Sequence, residues 1–370
     1  MHVKLRSTIT KAALVLATTA LTLLAVEGVL RAVYTLPPGH AEQWRTDRLL
    51  PVDDPKLQFV NRPRAGDDPV GPEGFRGIAP PRERRPGVPR IFVLGDSVTF
   101  GTGVAPTRTY SARLEALLAE RLGGPVEVIN AGVPGYDIVQ VAALYRRRVR
   151  DFTPDIVVYG FFHNDLEARR SLILDTDPPT VVGVMPADSM LPGEIILPGG
   201  VHEALTRSSF LYNWLNLALL KLTGESWEFS TSMNEQLRSR GVRAMERLSA
   251  AATEDRTTLL VALLPTVVRR DPERCGDPLV PITRQLLGYC AYNDHVLDFV
   301  AGVCANLGVT TLDLRHAYET LPGQSLAMAA GDPDHPDPEG HRLLAEALLP
   351  HVLAHLEPLP AAPTAEGEPP

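Results

Sequence analysis

The sequence predicts an α/β protein: a three-layer α/β/α sandwich around a five-stranded parallel sheet, preceded by an N-terminal transmembrane helix. Three observations carry this. From Arg90 onward short apolar runs alternate with amphipathic stretches. The runs are apolar at successive positions rather than at every second one, as in strands buried on both faces of a parallel sheet. Polar residues follow the runs directly, at the strand ends where such sheets hold their ligands.

The first 35 residues form one segment. Lys4, Arg6 and Lys11 precede Ala12–Val26, which carries no charge before Glu27. Continued through Tyr34, it supplies roughly 20 residues, about 30 Å of helix, enough to cross a bilayer core. The basic flank predicts a cytoplasmic N-terminus and an extracytoplasmic remainder, in the periplasm or at the cell surface. A cleaved signal peptide is the competing reading and would leave the protein secreted. Ala17–Ala20 and Ala25 are only weak cleavage candidates. Residues 36–89 read as a proline-rich spacer and irregular arm, with Gly71–Gly77 a turn-rich element. Residues 90–356 read as the α/β domain, with an insertion at about 166–230, and 357–370 as a disordered tail.

Within the domain, Ile91–Leu94 is the first strand. A helix follows over Tyr110–Arg121, with Leu114, Leu117, Leu118 and Leu122 on one face. Val126–Ile129 is the second strand, and Asp137–Asp151 a helix with Asp137 as N-cap. Asp155–Phe161 is the third strand. Met233–Ala252 is a helix, Thr258–Leu264 the fourth strand, Ala301–Leu307 helical, and Val309–Leu314 the fifth strand. Pro338–Leu356 closes the domain as a helix with proline in its first turn.

Bulk composition removes some function classes. The formal net charge is −8, and no basic run exceeds Arg146–Arg148, so no nucleic-acid partner is expected. Three cysteines, Cys275, Cys290 and Cys304, are too few for a disulfide scaffold. Pairing of Cys275 with Cys290 in an exported domain and three free buried thiols both stay open.

The strand ends supply a coherent chemical set. Gly95, Asp96 and Ser97 follow the first strand. Asn130 to Gly135 follow the second, with Gly132 among them. His163, Asn164 and Asp165 follow the third, and Gly331–His341 comes after the fifth. A serine hydroxyl needs a base to become a nucleophile. Histidine suits that task near neutral pH, and a carboxylate fixes its tautomer. Backbone N–H groups and an asparagine amide can await the oxyanion, each typically worth about 3 to 4 kcal/mol of barrier.

These blocks resemble the SGNH/GDSL hydrolase superfamily (GDSL-type esterase/lipase) in a membrane-anchored, bacterial-type form. Gly95-Asp96-Ser97, Asn130–Tyr136, Asn164-Asp165 and Asp332-Pro333-Asp334-His335 match its four blocks in order over roughly Arg90–Leu356. The resemblance implies a flavodoxin-like SGNH hydrolase fold, no cofactor and no metal. It implies Ser97 as nucleophile, His335 as base and Asp332 as its partner. The oxyanion hole would be the Ser97 N–H, a glycine N–H and the Asn164 amide. Gly135 is preferred over Gly132 for the glycine, although spacing does not decide between them. Asp96 and Asp165 would support the loops. Phe162 departs from the pattern, which often has glycine two residues before the asparagine. His163 reads as a pocket wall rather than a second base.

Competing readings stand beside this one. Ser97 alone would pass for a helix N-cap. Asp332, Asp334, His335, Asp337, Glu339 and His341 have metal-ligating side chains, but the prolines among them suggest a rigid loop entering a helix, with Asp337 and Glu339 as first-turn acids. Within 166–230, Ser208–Leu222 is spaced as a helix; it reads as a lid, as an ordinary crossover helix, or as an interfacial membrane helix, for which it is weakly charged. The expected function is an extracytoplasmic serine esterase acting on a small ester, an acyl lipid or an O-acetylated glycan. An O-acyltransferase with the same triad and a non-catalytic glycan-binding or assembly protein are the alternatives.

Overall fold

A computed structural model describes residues 2–35, 48–77, 81–177, 179–186, 192–222, 235–267, 283–319, 326–328, 332 and 334–356. The chain divides into two compact units: Met1–Pro51 with Arg170–Ser226, and Val52–Arg169 with Trp227–Pro370.

The second unit holds the sheet. Its strands are β1 (Arg90–Gly95), β2 (Glu127–Gly132), β3 (Ile156–Phe161), β4 (Thr258–Leu263) and β5 (Thr310–Asp313). All neighbours pair in parallel, in the order β2-β1-β3-β4-β5. The chain thus runs outward from β1 to β2, then returns past β1 to build β3, β4 and β5 on its other side. That reversal makes the carboxyl end of β1 a topological switch point, where open α/β sheets bind ligands. β1, β2 and β3 are buried at every position; most of their residues are apolar, and the buried Arg90 and Glu127 at the start of β1 and β2 pair at 2.7 Å. β5, with Thr310 and Asp313 exposed, is an edge.

The helices of this unit are α1 (Ser97–Phe100), α2 (Tyr110–Leu122), α3 (Ile138–Leu144), α4 (Glu235–Glu254), α5 (Thr283–Asn306) and α6 (Pro338–Leu356). α2 and α6 bury Leu114, Leu118, Leu344 and Leu348 in one cluster with Ile91 and Val93 of β1. Successive strand residues face opposite ways. Phe92 therefore meets a different set, Phe75 and Phe152, at ring-centroid distances of 5.2 and 5.6 Å. α3 and α4 bury Val141, Leu144, Met245 and Leu248, none of which belongs to the α2–α6 cluster.

Two helices depart from their expected bounds. α3 stops at Leu144 and continues as a wide turn over Tyr145–Val149 and a tight one over Arg150–Phe152. It ends where Thr153 turns left-handed (φ 47°) ahead of Pro154, which disfavours helix in the residue before it. Asp137 caps α3 as expected, accepting from Val139 N and Gln140 N while Gln140 returns a bond to its backbone. α5 runs well ahead of Ala301. It buries Cys304 as a free thiol. The pairing of Cys275 with Cys290 lies outside the described residues.

In the first unit the helix His2–Thr35 contains Thr10–Ala32, long and apolar enough to cross a membrane. Leu14, Leu16, Leu21 and Leu24 are exposed on it. Its one acid has a local use. The Glu27 carboxylate accepts from Phe210 N (3.0 Å), Leu211 N (2.8 Å) and Ser209 Oγ (2.9 Å), capping the helix Phe210–Leu222 from outside.

Candidate active site

The site begins with a row of three glycines. Gly132, Gly95 and Gly160 stand side by side on β2, β1 and β3. A Cβ on Gly95 would lie 2.2 Å from Thr99 Oγ1, one on Gly132 2.3 Å from Phe100 N, and one on Gly160 2.7 Å from Thr99 Oγ1. Only a surface without side chains lets α1 press so closely onto the sheet. Ser97 is the first residue of that helix. The N-cap is Asp96, whose carboxylate accepts from Val98 N at 2.9 Å. Ser97 itself is therefore not the cap, and its hydroxyl is left for other partners.

Those partners come from the loop before α6. His335 Nε2 lies 2.8 Å from Ser97 Oγ, and His335 Nδ1 lies 3.0 Å from Asp332 Oδ2. A carboxylate can only accept, so Nδ1 carries the proton and Nε2 offers a lone pair to the serine hydroxyl. Asp332 Oδ1 also accepts from the backbone N–H of Asp334 (2.9 Å) and His335 (3.1 Å). The loop is pinned at its base: Met328 N donates to His335 O (2.8 Å) and Asp337 N to Leu326 O (2.6 Å).

Electrostatics follow the geometry. Burial alone would push both groups toward neutrality. For Asp332 the His335 hydrogen bond and charge, with the two N–H donors, outweigh it and hold the carboxyl below its usual range. For His335 the Asp332 hydrogen bond and charge outweigh it and raise the imidazole above 6.5. Asp96 goes the other way. Its burial exceeds what Val98 N–H and the nearby cations return, and its carboxyl is raised. Its longer contact to Ser97 Oγ is 3.3 Å, against 2.8 Å for His335.

Candidate oxyanion donors line up on neighbouring turns. Gly132 N is engaged by Asn130 Oδ1 at 3.0 Å. Gly135 sits beyond it in the turn closed by Tyr136 N to Val133 O, at φ 81°, a conformation suited to glycine after proline. The Gly135 N–H and the Asn164 side-chain amide make no hydrogen bond among the described residues, and both residues are half-buried. Asn164 lies on the short turn His163–Leu166 after β3. Asp165 anchors that turn by accepting from Tyr159 Oη (2.9 Å) and Phe162 N (3.1 Å), and its burial raises its carboxyl well above normal. Phe162 is fully buried in the core cluster.

The remaining histidines and acids have other places. His163 is buried and its pKa is pushed down to about 3 by burial. His341 accepts from Tyr110 N at 3.1 Å and stacks on the Tyr110 ring; burial takes it to about 3 as well. Asp337 caps α6 through Glu339 N and Gly340 N, both at 2.9 Å. Among the described residues no group of three His, Cys, Asp or Glu side chains is arranged to hold a metal.

One buttress has no motif. Arg76, buried in the arm that precedes β1, donates to Gly101 O (2.7 Å) and also to Phe100 O, so it holds the carbonyls at the end of α1. Asn61 Nδ2 donates to Gly132 O at 2.8 Å. The sequence signals neither, because both bonds join segments far apart in the chain.

Comparison with known proteins supplies the family. A family model described as "GDSL-like Lipase/Acylhydrolase family" matches residues 93–343, which include Ser97, Gly135, Asn164, Asp332 and His335. No curated protein matches the sequence. Among solved structures, the chain is similar to LAE5, titled an alpha/beta hydrolase enzyme from the metagenome of Lake Arreo, Spain. That match has 17% identity and a TM-score of 0.43, over 74% of this chain and 96% of that one. It is also similar to Axe2, titled an acetylxylan esterase from Geobacillus stearothermophilus, with 16% identity, a TM-score of 0.41, and 71% and 94% coverage. TesA matches with 15% identity, a TM-score of 0.41, and 73% and 99% coverage. With more than half its length under the family model, the chain belongs to the GDSL-like lipase/acylhydrolase family of ester-hydrolysing enzymes.

Proposed function

We propose that this protein is an extracytoplasmic serine esterase, anchored through Thr10–Ala32, that hydrolyses acyl-lipid or O-acetylated carbohydrate esters through an acyl-enzyme on Ser97. The observation that carries this reading is the continuous relay Asp332–His335–Ser97, with contacts of 3.0 and 2.8 Å. His335 Nε2 takes the Ser97 proton as Oγ attacks the ester carbonyl carbon. The negative charge on the former carbonyl oxygen is met by the N–H groups of Ser97 and Gly135 and by the Asn164 amide. When the C–O bond breaks, His335 returns the proton to the departing alcohol. Water then repeats the sequence, giving the free acid and Ser97. Asp332 keeps Nδ1 protonated and stabilises the imidazolium. Asp96 and Asp165 hold the two turns on which Ser97 and Asn164 sit.

The basic residues before Thr10 and the apolar span itself support the location, by the positive-inside rule. The test uses full-length protein in neutral detergent with p-nitrophenyl esters of increasing acyl length. Ser97→Ala should lower kcat about 10⁵- to 10⁶-fold and abolish labelling by a fluorophosphonate. Full turnover by Ser97→Ala overturns the assignment. Labelling at Ser97 without hydrolysis of any ester would favour acyl transfer to another acceptor.

A further inference from the structure

A concavity with a volume of ≈ 370 Å³ lies in the same unit. Its lining is strongly cationic: Lys56, Arg169, Arg240, Arg243 and Arg247 stand around one carboxylate, Asp137. In a chain of net charge −8 this concentration of one sign is unexpected. Arg240, Arg243 and Arg247 recur at i, i+3 and i+7 on α4, so they form one stripe along the helix. Like charges so spaced repel, and the fold gives them little relief. Lys56, Arg243 and Arg247 make no side-chain hydrogen bond or ion pair among the described residues, and all three are exposed. Glu246, one turn from Arg243, does not pair with it.

The other two arginines are fixed in place. Arg240 binds the Asp137 carboxylate and donates to Leu166 O at 3.3 Å. Arg169 donates its backbone N–H to Asp137 (3.1 Å) and pairs with Glu167 (3.0 Å). Ala244 leaves a low floor between the guanidinium groups. The opposite wall is also built: Gln140 Nε2 donates to Leu57 O at 3.0 Å, and Gln58 holds a left-handed conformation at φ 63°.

The cavity is next to the reaction site. Asp137 is two residues past Gly135, so their Cα atoms are at most about 7 Å apart. Arg169 is five residues past Asn164 on the chain leaving the same turn. Its charge is felt by Asp96 and Asp165. From Arg240 to Arg247 the stripe rises about 10 Å along the helix. That length offers successive anchor points rather than a single point charge. Arginine forks suit carboxylate and phosphate oxygens.

We propose that this arginine-lined cavity binds the non-reacting part of the substrate, so that the preferred ester is one borne on an extended chain with carboxylate or phosphate groups at intervals. The substrate part of this statement rests on the serine-esterase reading of Ser97; the anion site itself does not.

The experiment compares full-length wild type with the Arg243→Glu/Arg247→Glu double variant, which alters only exposed side chains on α4. The substrates are p-nitrophenyl acetate, an O-acetylated neutral glucan oligomer, an O-acetylated oligogalacturonate and an O-acetylated glycerol-phosphate oligomer. At low salt the wild type should show a KM about tenfold lower for an acidic oligomer than for the neutral one. The double variant should lose that preference while turning over p-nitrophenyl acetate normally. About 1 M NaCl, with a Debye length near 3 Å, should erase it in the wild type. Which acidic oligomer gains identifies carboxylate or phosphate as the group read. No preference in wild type, or a preference kept by the double variant, overturns the proposal. Calorimetry of oligogalacturonate and of glycerol-phosphate oligomer with both proteins decides the anion site even if every ester is inert. An equal Kd for both proteins sinks the site, whereas inertness toward all esters sinks the esterase reading.

Discussion

Two aspartates contact the Ser97–His335 pair, one at each residue, and their surroundings give them opposite characters. Asp96, in the turn after β1, is fully enclosed and accepts one backbone N–H; its carboxyl is raised. Asp332, in the loop before α6, accepts two backbone N–H groups and the imidazole; its carboxyl is lowered. Burial acts on both in the same direction. What separates them is that Asp96 is the more deeply buried, while Asp332 has more donors that stabilise its charge. Only Asp332 has the surroundings of a carboxyl that stays an anion beside the imidazole. Asp96 is built to hold a helix start, a task that a neutral acceptor performs nearly as well.

The sharpest way to break this comparison is substitution by asparagine at each position. Asp332→Asn should lower kcat by about 10⁴, because an amide can donate to Nδ1 and so favours the wrong imidazole tautomer. Asp96→Asn keeps the acceptor for Val98 N and should cost less than about tenfold. Equal losses in steady-state assays would show that the two carboxylates share one task. A second test is the pH profile. On the proposed mechanism His335 must be neutral to act as base, and its pKa is raised, so kcat/KM should climb with pH through a midpoint above 6.5. In Asp332→Asn that limb should move to lower pH; an unmoved limb would assign it to another group. Smaller in activity but visible in stability, Asp96→Ala removes the cap and should cost about 1 kcal/mol in denaturant unfolding. Gly132→Ala tests the seat beneath both residues. A methyl 2.3 Å from Phe100 N must displace backbone, which should destabilise the fold by about 1–3 kcal/mol.

Much of the candidate site is legible in the sequence. Ser97 and Asn164 lie just past apolar runs, and strand ends are where a parallel sheet gathers its chemistry; Asp332 and His335 stand in a short block well beyond the fifth strand. The five strands were legible because three are apolar at nearly every position. Less legible were contacts that depend on distant segments. Spacing left Gly132 and Gly135 undecided; the Asn130 side chain on Gly132 N appears only once the turn is folded. The role of cap fell to Asp96 rather than Ser97 because the helix starts one residue earlier than a serine cap requires. Arg76 has no local pattern at all. The arginine stripe of α4 takes its meaning only from the facing loop and Asp137.

The glycine row bears on how the molecule assembles. Gly95, Gly132 and Gly160 come from three strands spread over some 65 residues of chain, and α1 can settle only once all three are in register. On the proposed mechanism Ser97 becomes reactive late, after non-local pairing whose loop-closure entropy makes it slow. An acylating probe added during refolding would therefore count docked sheets rather than formed helices. Its labelling curve should lag the far-ultraviolet signal and coincide with burial of the strands.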